Sequence, residues 1–304
     1  MPKFDLAGHR KIWFLISALI IIPGIICMFV RGFNFGIDFT GGTIIDLKFA
    51  QPVTIAEVRT SLAKYGLDGS TIQLSGAQSD VTSSEDVMIR TTDLEEEQRK
   101  EVMATLKQDV GDYTVLREEK VGATIGGELI TNALEALVIS WALIILYVAY
   151  RFEWKFGVAA VFALIHDILI VLSVFSLTQR QIDSSFIAAL LTIVGYSIND
   201  TIVIFDRIRE NLRLHFRRNG DVNALVNTSV YQTLTRSLYT VFTVLFTTFA
   251  LYFFGGETTK DFAFALLVGF GVGCYSSIFI ASPLWIVFRG WSEKRHAAKV
   301  AAAK

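Results

Sequence analysis

Residues 190–213, LLTIVGYSINDTIVIFDRIRENLR, place Asn199 and Asp200 in a run otherwise apolar enough to cross a membrane. An ionisable group within a span costs several kcal/mol, turns toward a bundle interior, and marks a candidate site of function. Few other residues share that setting: Glu135, His166, Asp167 and Arg236. Asp200 lies about 14 residues into its span, which at ~1.5 Å per residue is roughly 21 Å deep, past the midplane. Tyr196 and Ser197 lie one turn before it and share its face, and Thr192 and Gly195 keep that side small and polar. His166 and Asp167 sit mid-span in LIHDILIV, and Arg236 sits near the inner boundary of a further span in TLTRSLYT.

The chemistry these residues suggest is proton exchange. Arginine stays protonated under nearly all conditions and acts as a fixed counter-charge. A carboxyl in low dielectric favours its neutral form, and a nearby arginine favours the anion. An Asp–Arg pair on helices that shift can therefore gain or lose a proton. Moving one charge across a membrane is worth ~2.3 kcal/mol per 100 mV. The residues alone leave a static Asp200–Arg236 pair equally open. Asp167 reads as polar support or an interhelical contact, with His166, Ser197 and Tyr196 beside it. Glu135, near the outer end of its span, reads as interfacial. No Ser-His-Asp set and no zinc-ligand spacing occurs, so neither covalent catalysis nor a metal or other cofactor is expected.

These residues need helices to hold them. The 304-residue chain is 52% hydrophobic and 19% charged, with four prolines and a mean hydropathy of +0.48. That balance fits a polytopic membrane protein. A net charge of −1 suggests no nucleic-acid partner. Cys27 and Cys274 lie in apolar runs and read as packing residues. Six spans of about 20 residues are predicted at 12–30, 132–150, 156–177, 186–206, 236–254 and 262–288. The first has basic flanks but no small-residue cleavage site, and reads as a retained span.

The positive-inside rule orients them with both termini cytoplasmic. Lys3, Arg10 and Lys11, then Arg151 and Lys155, then Arg207, Arg209, Arg213, Arg217 and Arg218 fall on the inner side. The tail 289–304 adds Arg289, Lys294, Arg295, Lys299 and Lys304. The short outer loops hold Arg180 and Lys260. Within 206–220, Ile208, Leu212 and Phe216 recur at spacing four among arginines, which predicts a separate basic helix lying on the inner lipid surface. In the sixth span, Gly269 and Gly273 form a small-xxx-small pair for close helix packing.

Residues 31–131 form a polar insertion outside the membrane. GTIIDLKF (42–49) reads as a strand. The stretch 54–66 reads as a helix with a Thr54–Glu57 capping box, closed at Gly66. STIQLSG and DVMIRTT read as strands, 93–111 as a helix capped by Asp93 with Glu96, and YTVLREEKVG as a last strand. The order β-α-β-β-α-β predicts an α+β ferredoxin-like domain suited to contact rather than catalysis.

Five stretches carry a resemblance across almost the whole chain: FNFGIDFTGGT (33–43), VGATIGGEL, ALIHD, GYSINDTIVIFDRIREN and TLTRSLYT. Together they resemble the SecD/SecF family of the bacterial Sec protein-export system, an RND-superfamily group, with a shorter tail. The resemblance implies a SecF-like half of six spans in the bacterial cytoplasmic (inner) membrane. A SecD partner would complete a pseudo-symmetric twelve-helix unit. It also implies work with the SecYEG channel after the SecA motor, association with YidC and YajC, and use of the proton-motive force on late preprotein translocation. Asp200 and Arg236, with Asn199 of the Asn-Asp motif, match the family's proton-relay positions. A further relay acid belongs to SecD. Gly36, Asp38, Gly41 and Gly42 match the family's motif after the first span, read from the residues as a glycine-permitted turn or hinge. The coupling ion implied is H+, although an aspartate alone does not separate H+ from Na+. The rivals are half of an RND-type lipid or small-molecule exporter and a non-transporting assembly factor.

Overall fold

The computed structural model describes residues 5–75, 82–151, 153–215 and 220–302. Lys3, Phe216, Arg217, Arg218 and Lys304, singled out above, lie outside them. The elements in order are α1 (Arg10–Val30), β1 (Asn34–Phe35), α2 (Ile37–Thr40), β2 (Gly42–Thr54), α3 (Ile55–Ala63), β3 (Thr71–Ser75), β4 (Ser83–Thr91), α4 (Glu96–Asp109) and β5 (Tyr113–Val121). Then come α5 (Ala123–Arg151), α6 (Trp154–Thr178), β6 (Gln181–Ile182), α7 (Ser184–His215), α8 (Val222–Phe254), α9 (Glu257–Ser276), a π-helical turn (Ser277–Ala281) and α10 (Ser282–Ala302). Two compact units result: residues 35–134, and the remainder.

Among the described residues, six stretches are long and apolar enough to cross a membrane. This is a helical membrane protein. Its third stretch, Trp154–Thr178, is the most enclosed, and α1, α7 and α9 pack around α6. Small residues set the spacing. A Cβ on Gly24 of α1 would meet Ser173 of α6 at 2.1 Å. On α9, Gly269 lies against Ile193 and Gly273 against Ser197, where a Cβ would come within 3.1 Å of the serine Cβ. Lipid tails are as apolar as leucine, so helices in a membrane are positioned by such close packing and by hydrogen bonds. The large apolar side chains of α1, α5 and α8 point outward, Leu19, Leu146 and Phe246 among them.

One expectation about the helices needs correction, and several helices run past the predicted spans. The basic stretch after Asp206 is no separate surface helix: α7 runs unbroken to His215. Ile208 is fully buried, and Asn211 donates to Ser229 Oγ (2.8 Å) and Gln232 Oε1 (2.9 Å) of α8. Its inward face is thus helix-packed rather than lipid-facing. The helix that carries the fifth predicted span begins fourteen residues before 236, at Val222, where Asp221 caps it by accepting from the Asn223 N–H (2.9 Å). The helix that carries the sixth begins at Glu257 and is interrupted by the π turn. The tail from 289 continues as helix to Ala302.

In the inserted unit the four-stranded antiparallel sheet has the order β3-β4-β2-β5. β4 lies between the two strands joined by α3, which is a split βαβ arrangement. Alternation on β2 turns Ile45, Leu47 and Phe49 into a core with Val58 and Leu62 of α3, Ile89 of β4 and Leu106 of α4. The Thr54–Glu57 capping box is formed: Thr54 N–H donates to Glu57 Oε2 (2.8 Å), and Glu57 N–H donates to Thr54 Oγ1 (3.3 Å). The second helix starts at Glu96 with Glu95 as cap, not Asp93. Asp93 instead pairs with Lys120 at 2.8 Å.

Candidate functional site

The buried polar centre of the helical unit is built on Asp167. Its side chain is 1% exposed. Oδ1 lies 3.0 Å from His166 Nδ1. Oδ2 accepts from Ser197 Oγ of α7 (2.6 Å) and Ser276 Oγ of α9 (2.8 Å). His166 Nε2 in turn meets Ser17 Oγ of α1 at 2.8 Å. One acid and its neighbour therefore tie together α1, α6, α7 and α9. Burying a carboxylate is affordable only when it is hydrogen-bonded, and this one has three partners.

Asp200 is bound differently. Its Oδ1 accepts from Ser237 Oγ of α8 at 2.5 Å. Its Oδ2 is buried without a hydrogen bond of its own, with the Ser277 hydroxyl beside it. Ser277 shares a hydrogen with Thr201 Oγ1 (2.8 Å) and donates to the Ser197 carbonyl (3.4 Å). Ser197 and Thr201 lie four residues apart, so one face of α7 meets the π turn along two successive turns. Such π segments recur at functional positions because they re-aim side chains. Here the turn begins between two adjacent, fully buried serines: Ser276 serves Asp167, and Ser277 faces the turn of Asp200.

Asp200 and Arg236 are not in direct contact within 4 Å, but the guanidinium charge lies near enough to act on the carboxyl, and the hydrogen bond goes to Ser237, the neighbour of Arg236. Arg236 is exposed on α8. It lines a cleft of about 340 Å³ with Tyr147, Arg151, Asp206, Arg207 and Glu210. Arg207 pairs with Glu210 (2.6 Å), and Arg209 with Asp206 (2.9 Å). The polar face expected on α7 is also rearranged. Thr192 and Asn199 are exposed, with the Thr192 hydroxyl turned to its own helix at Ala188 O (2.7 Å). Tyr196 packs on Phe270 with ring centroids 4.6 Å apart. Only Ser197 of that set joins the Asp167 network. Glu135 is exposed. The sequence reading missed Ser17, Thr201 and Ser237, and took Ser276 and Ser277 only as small residues of the sixth span's packing face. An arginine beside Ser237 and the paired serines of GCYSS were the available signals.

Two further polar ties close the ends of the helices. Arg180 pairs with Asp261 (2.7 Å), donates to Tyr252 Oη (2.8 Å) and lies over the Phe264 ring at 4.1 Å. Asn227 of α8 donates to Asp5 Oδ1 (2.6 Å) and accepts from the Ala7 N–H (2.9 Å). That Asn227 bond, followed by the Gly8 N–H, holds the Asp5 carboxyl below its ordinary range.

In the inserted unit, Gly36 caps α2, and Asp38 lies in its first turn. Gly41 (φ 71°) and Gly42 (φ 137°) occupy the positive-φ region that side chains rarely enter, turning the chain from α2 into β2. A Cβ on Gly42 would lie 2.5 Å from Thr91 O, and one on Gly126 would lie 2.4 Å from Phe39 O. The stretches FNFGIDFTGGT and VGATIGGEL are thus packed against each other through backbone. On the sheet, burial pushes the Asp46 carboxyl up, and the Arg117 and Arg90 guanidiniums oppose that.

Comparison with known proteins is decisive for the family. The model of the SecD/SecF protein-export membrane protein C-terminal region matches residues 101–291, and the SecD/SecF GG-motif model matches 28–53. The chain belongs to the SecD/SecF family. The protein translocase subunit SecF of Acidaminococcus fermentans is 52% identical over 95% of this chain and 98% of its own. That of Haemophilus influenzae is 39% identical over 92% and 84%. The crystal structure of Thermus thermophilus SecDF, a translocon-associated membrane protein, superposes with a TM-score of 0.84 at 39% identity. The chain is covered to 95% there but spans only 39% of that longer SecDF chain. Within the SecD/SecF match lie Asp167, Asp200, Arg236 and the π turn, and the GG motif contains Gly41 and Gly42.

Proposed function

We propose that this SecD/SecF-family chain is an accessory subunit of the bacterial Sec protein translocase that uses the proton-motive force, with a SecD partner, to promote late preprotein movement. It acts without covalent chemistry. The observation that carries the coupling is Asp200: one oxygen is held by Ser237, and the other is buried with only the Ser277 hydroxyl beside it. A proton added at Oδ2 disturbs at most that one hydroxyl. Arg236, one residue beyond the Ser237 contact, is exposed in this chain on its own. The acids of its cleft, Asp206 and Glu210, are paired with Arg209 and Arg207, so an acid from a second chain could engage Arg236 there. The SecDF relatives, in which this chain matches about 40% of one longer polypeptide, support a SecD-like half as that chain. The expected setting is the inner membrane with both termini cytoplasmic and the inserted domain outside. SecYEG, SecA, YidC and YajC are the expected associates.

The test is Asp200→Asn in the complex with its SecD partner, assayed for preprotein export in vesicles with and without a proton gradient. The gradient-dependent part of export should vanish while assembly persists. Full gradient-dependent export by the variant would make the chain an assembly factor instead. Replacing the proton gradient with a sodium gradient in the same vesicles should give no stimulation.

A further inference from the structure

The relay just proposed leaves the most enclosed ionisable pair in the helical unit unused. His166 and Asp167 have side chains 9% and 1% exposed, and they join four helices rather than the two that Asp200 and Ser237 join. Hydrogen-bond bookkeeping says where the pair can take a proton. Asp167 meets His166 Nδ1 with one oxygen and accepts from two serine hydroxyls with the other. The hydrogen between Nδ1 and Oδ1 can sit on either atom, so a proton added to the pair enters at the outer ring nitrogen. With Nδ1–H donating to Asp167, neutral His166 accepts at Nε2 from the Ser17 hydroxyl. A proton added at Nε2 reverses that bond: Nε2–H donates, and Ser17 accepts. The Ser17 hydroxyl then has the Tyr275 hydroxyl within reach for its own hydrogen. Every contact survives, and the imidazolium lies against a carboxylate already poised for it.

We propose that His166 is a second proton-holding group of this unit, paired with Asp167 and linked to the turn of Asp200 through the adjacent Ser276 and Ser277. This rests on the proton-coupled reading above and extends it by a residue. The link is structural. Ser276 donates to Asp167, while Ser277 engages Thr201 and the carbonyl of Ser197, the residue that is the other donor to Asp167. A shift of α7 against the π turn would move both Ser197, a donor to Asp167, and Thr201, the neighbour of Asp200. The titratable groups around the pair on its packed elements are Tyr275, stacked on the imidazole at 6.1 Å, and Cys274 on α9, and Tyr196 and Asp200 on α7. From α1 the contact is Ser17, and from the π turn it is Ser277.

The measurement is nitrogen NMR of histidine-labelled complex, with its SecD partner, in lipid vesicles across a pH series. The four histidines are His9, His166, His215 and His296, and His166→Gln identifies the signal by its loss. Both ring nitrogens of His166 should become protonated as the pH falls. Asp167→Asn should move that transition down by about 1–3 pH units, the usual effect of losing a neighbouring opposite charge. A ring that stays neutral over the whole series in the wild-type complex overturns the proposal, and so does a transition that Asp167→Asn leaves in place. The readout does not depend on transport. If Asp200→Asn abolishes gradient-driven export while His166 stays neutral, this inference alone fails. If His166 titrates as described but Asp200→Asn exports normally, the coupling role of Asp200 fails instead.

Discussion

The two units of this chain differ in what their surfaces expose and in the charge their interiors admit. In the inserted unit Ile45, Leu47, Val58 and Leu106 are sealed inside, and the charges of α4 and β5 face out. In the helical unit the sealed residues include Asp167, Ser173, Ser197, Ser276 and Ser277, while Phe29, Leu146 and Phe246 face out. The difference follows from the surroundings. Water drives apolar side chains of the inserted unit together, at roughly 25 cal/mol per Å² buried. A bilayer offers no such drive, so glycine contacts and serine hydroxyls set the positions of α1, α6, α7 and α9. The inserted unit spends its interior on stability. The helical unit can keep ionisable groups in its interior because its surface is already satisfied by lipid.

Substitutions in the two units should therefore differ in kind. The largest stability loss is expected for Leu47→Ala, at the centre of the sheet. It should destabilise the inserted unit by roughly 2–5 kcal/mol, read as faster hydrogen exchange in β2, β4 and β5, with the exchange of α6 unchanged. A loss under about 1 kcal/mol would mean that this core is not what holds the unit. Next is Thr54→Ala, expected to cost about 1 kcal/mol by removing the cap of α3. The same variant sharpens the pH dependence. Thr54 holds Glu57 below its ordinary 4.5, first by its backbone N–H and then by its hydroxyl, and Lys64 followed by Ser61 does the same for Asp109 below 3.8. Carboxyls lowered by folding stabilise the folded state above their unfolded values and lose that contribution as the pH falls through the folded ones. Acid should thus loosen the inserted unit below about pH 4.5, and Thr54→Ala should flatten the Glu57 part of the slope. The smallest stability effect belongs to Ser276→Ala in the helical unit, about 0.6 kcal/mol by analogy with measured interhelical hydrogen bonds. Its effect on gradient-driven export should nevertheless exceed that of Thr54→Ala. Equal effects on export would erase the contrast between the units.

Much of this was legible in the residues, for physical reasons. Length and apolarity announce a span, and a charge inside one announces a site, so α5, α6 and the turn of Asp200 could be placed directly. The capping box of α3 was legible because Thr54 and Glu57 must both be present for it. The start of α4 was not: Asp93 has the right chemistry for a cap, but Lys120 on β5 claims it, and only tertiary structure reveals that competitor. The length of α7 was obscured because its basic continuation looks like a lipid-surface helix when α8 is out of view. The site divided the same way. Asp200 stood out as a charge, whereas Ser17 and Ser237 have no periodicity to mark them in an apolar run, and Ser276 reads there as one more small packing residue. Asp167 was visible, yet its rank as the centre of the network depends on three helices meeting α6 at one level.

The most direct test of proton coupling is proton flux itself. The complex with its SecD partner, reconstituted in liposomes with a pH-sensitive dye inside, should pass protons down an imposed gradient, and Asp200→Asn should reduce that flux to the level of protein-free liposomes. Flux in the Asp200→Asn complex equal to wild type would contradict a proton path through Asp200.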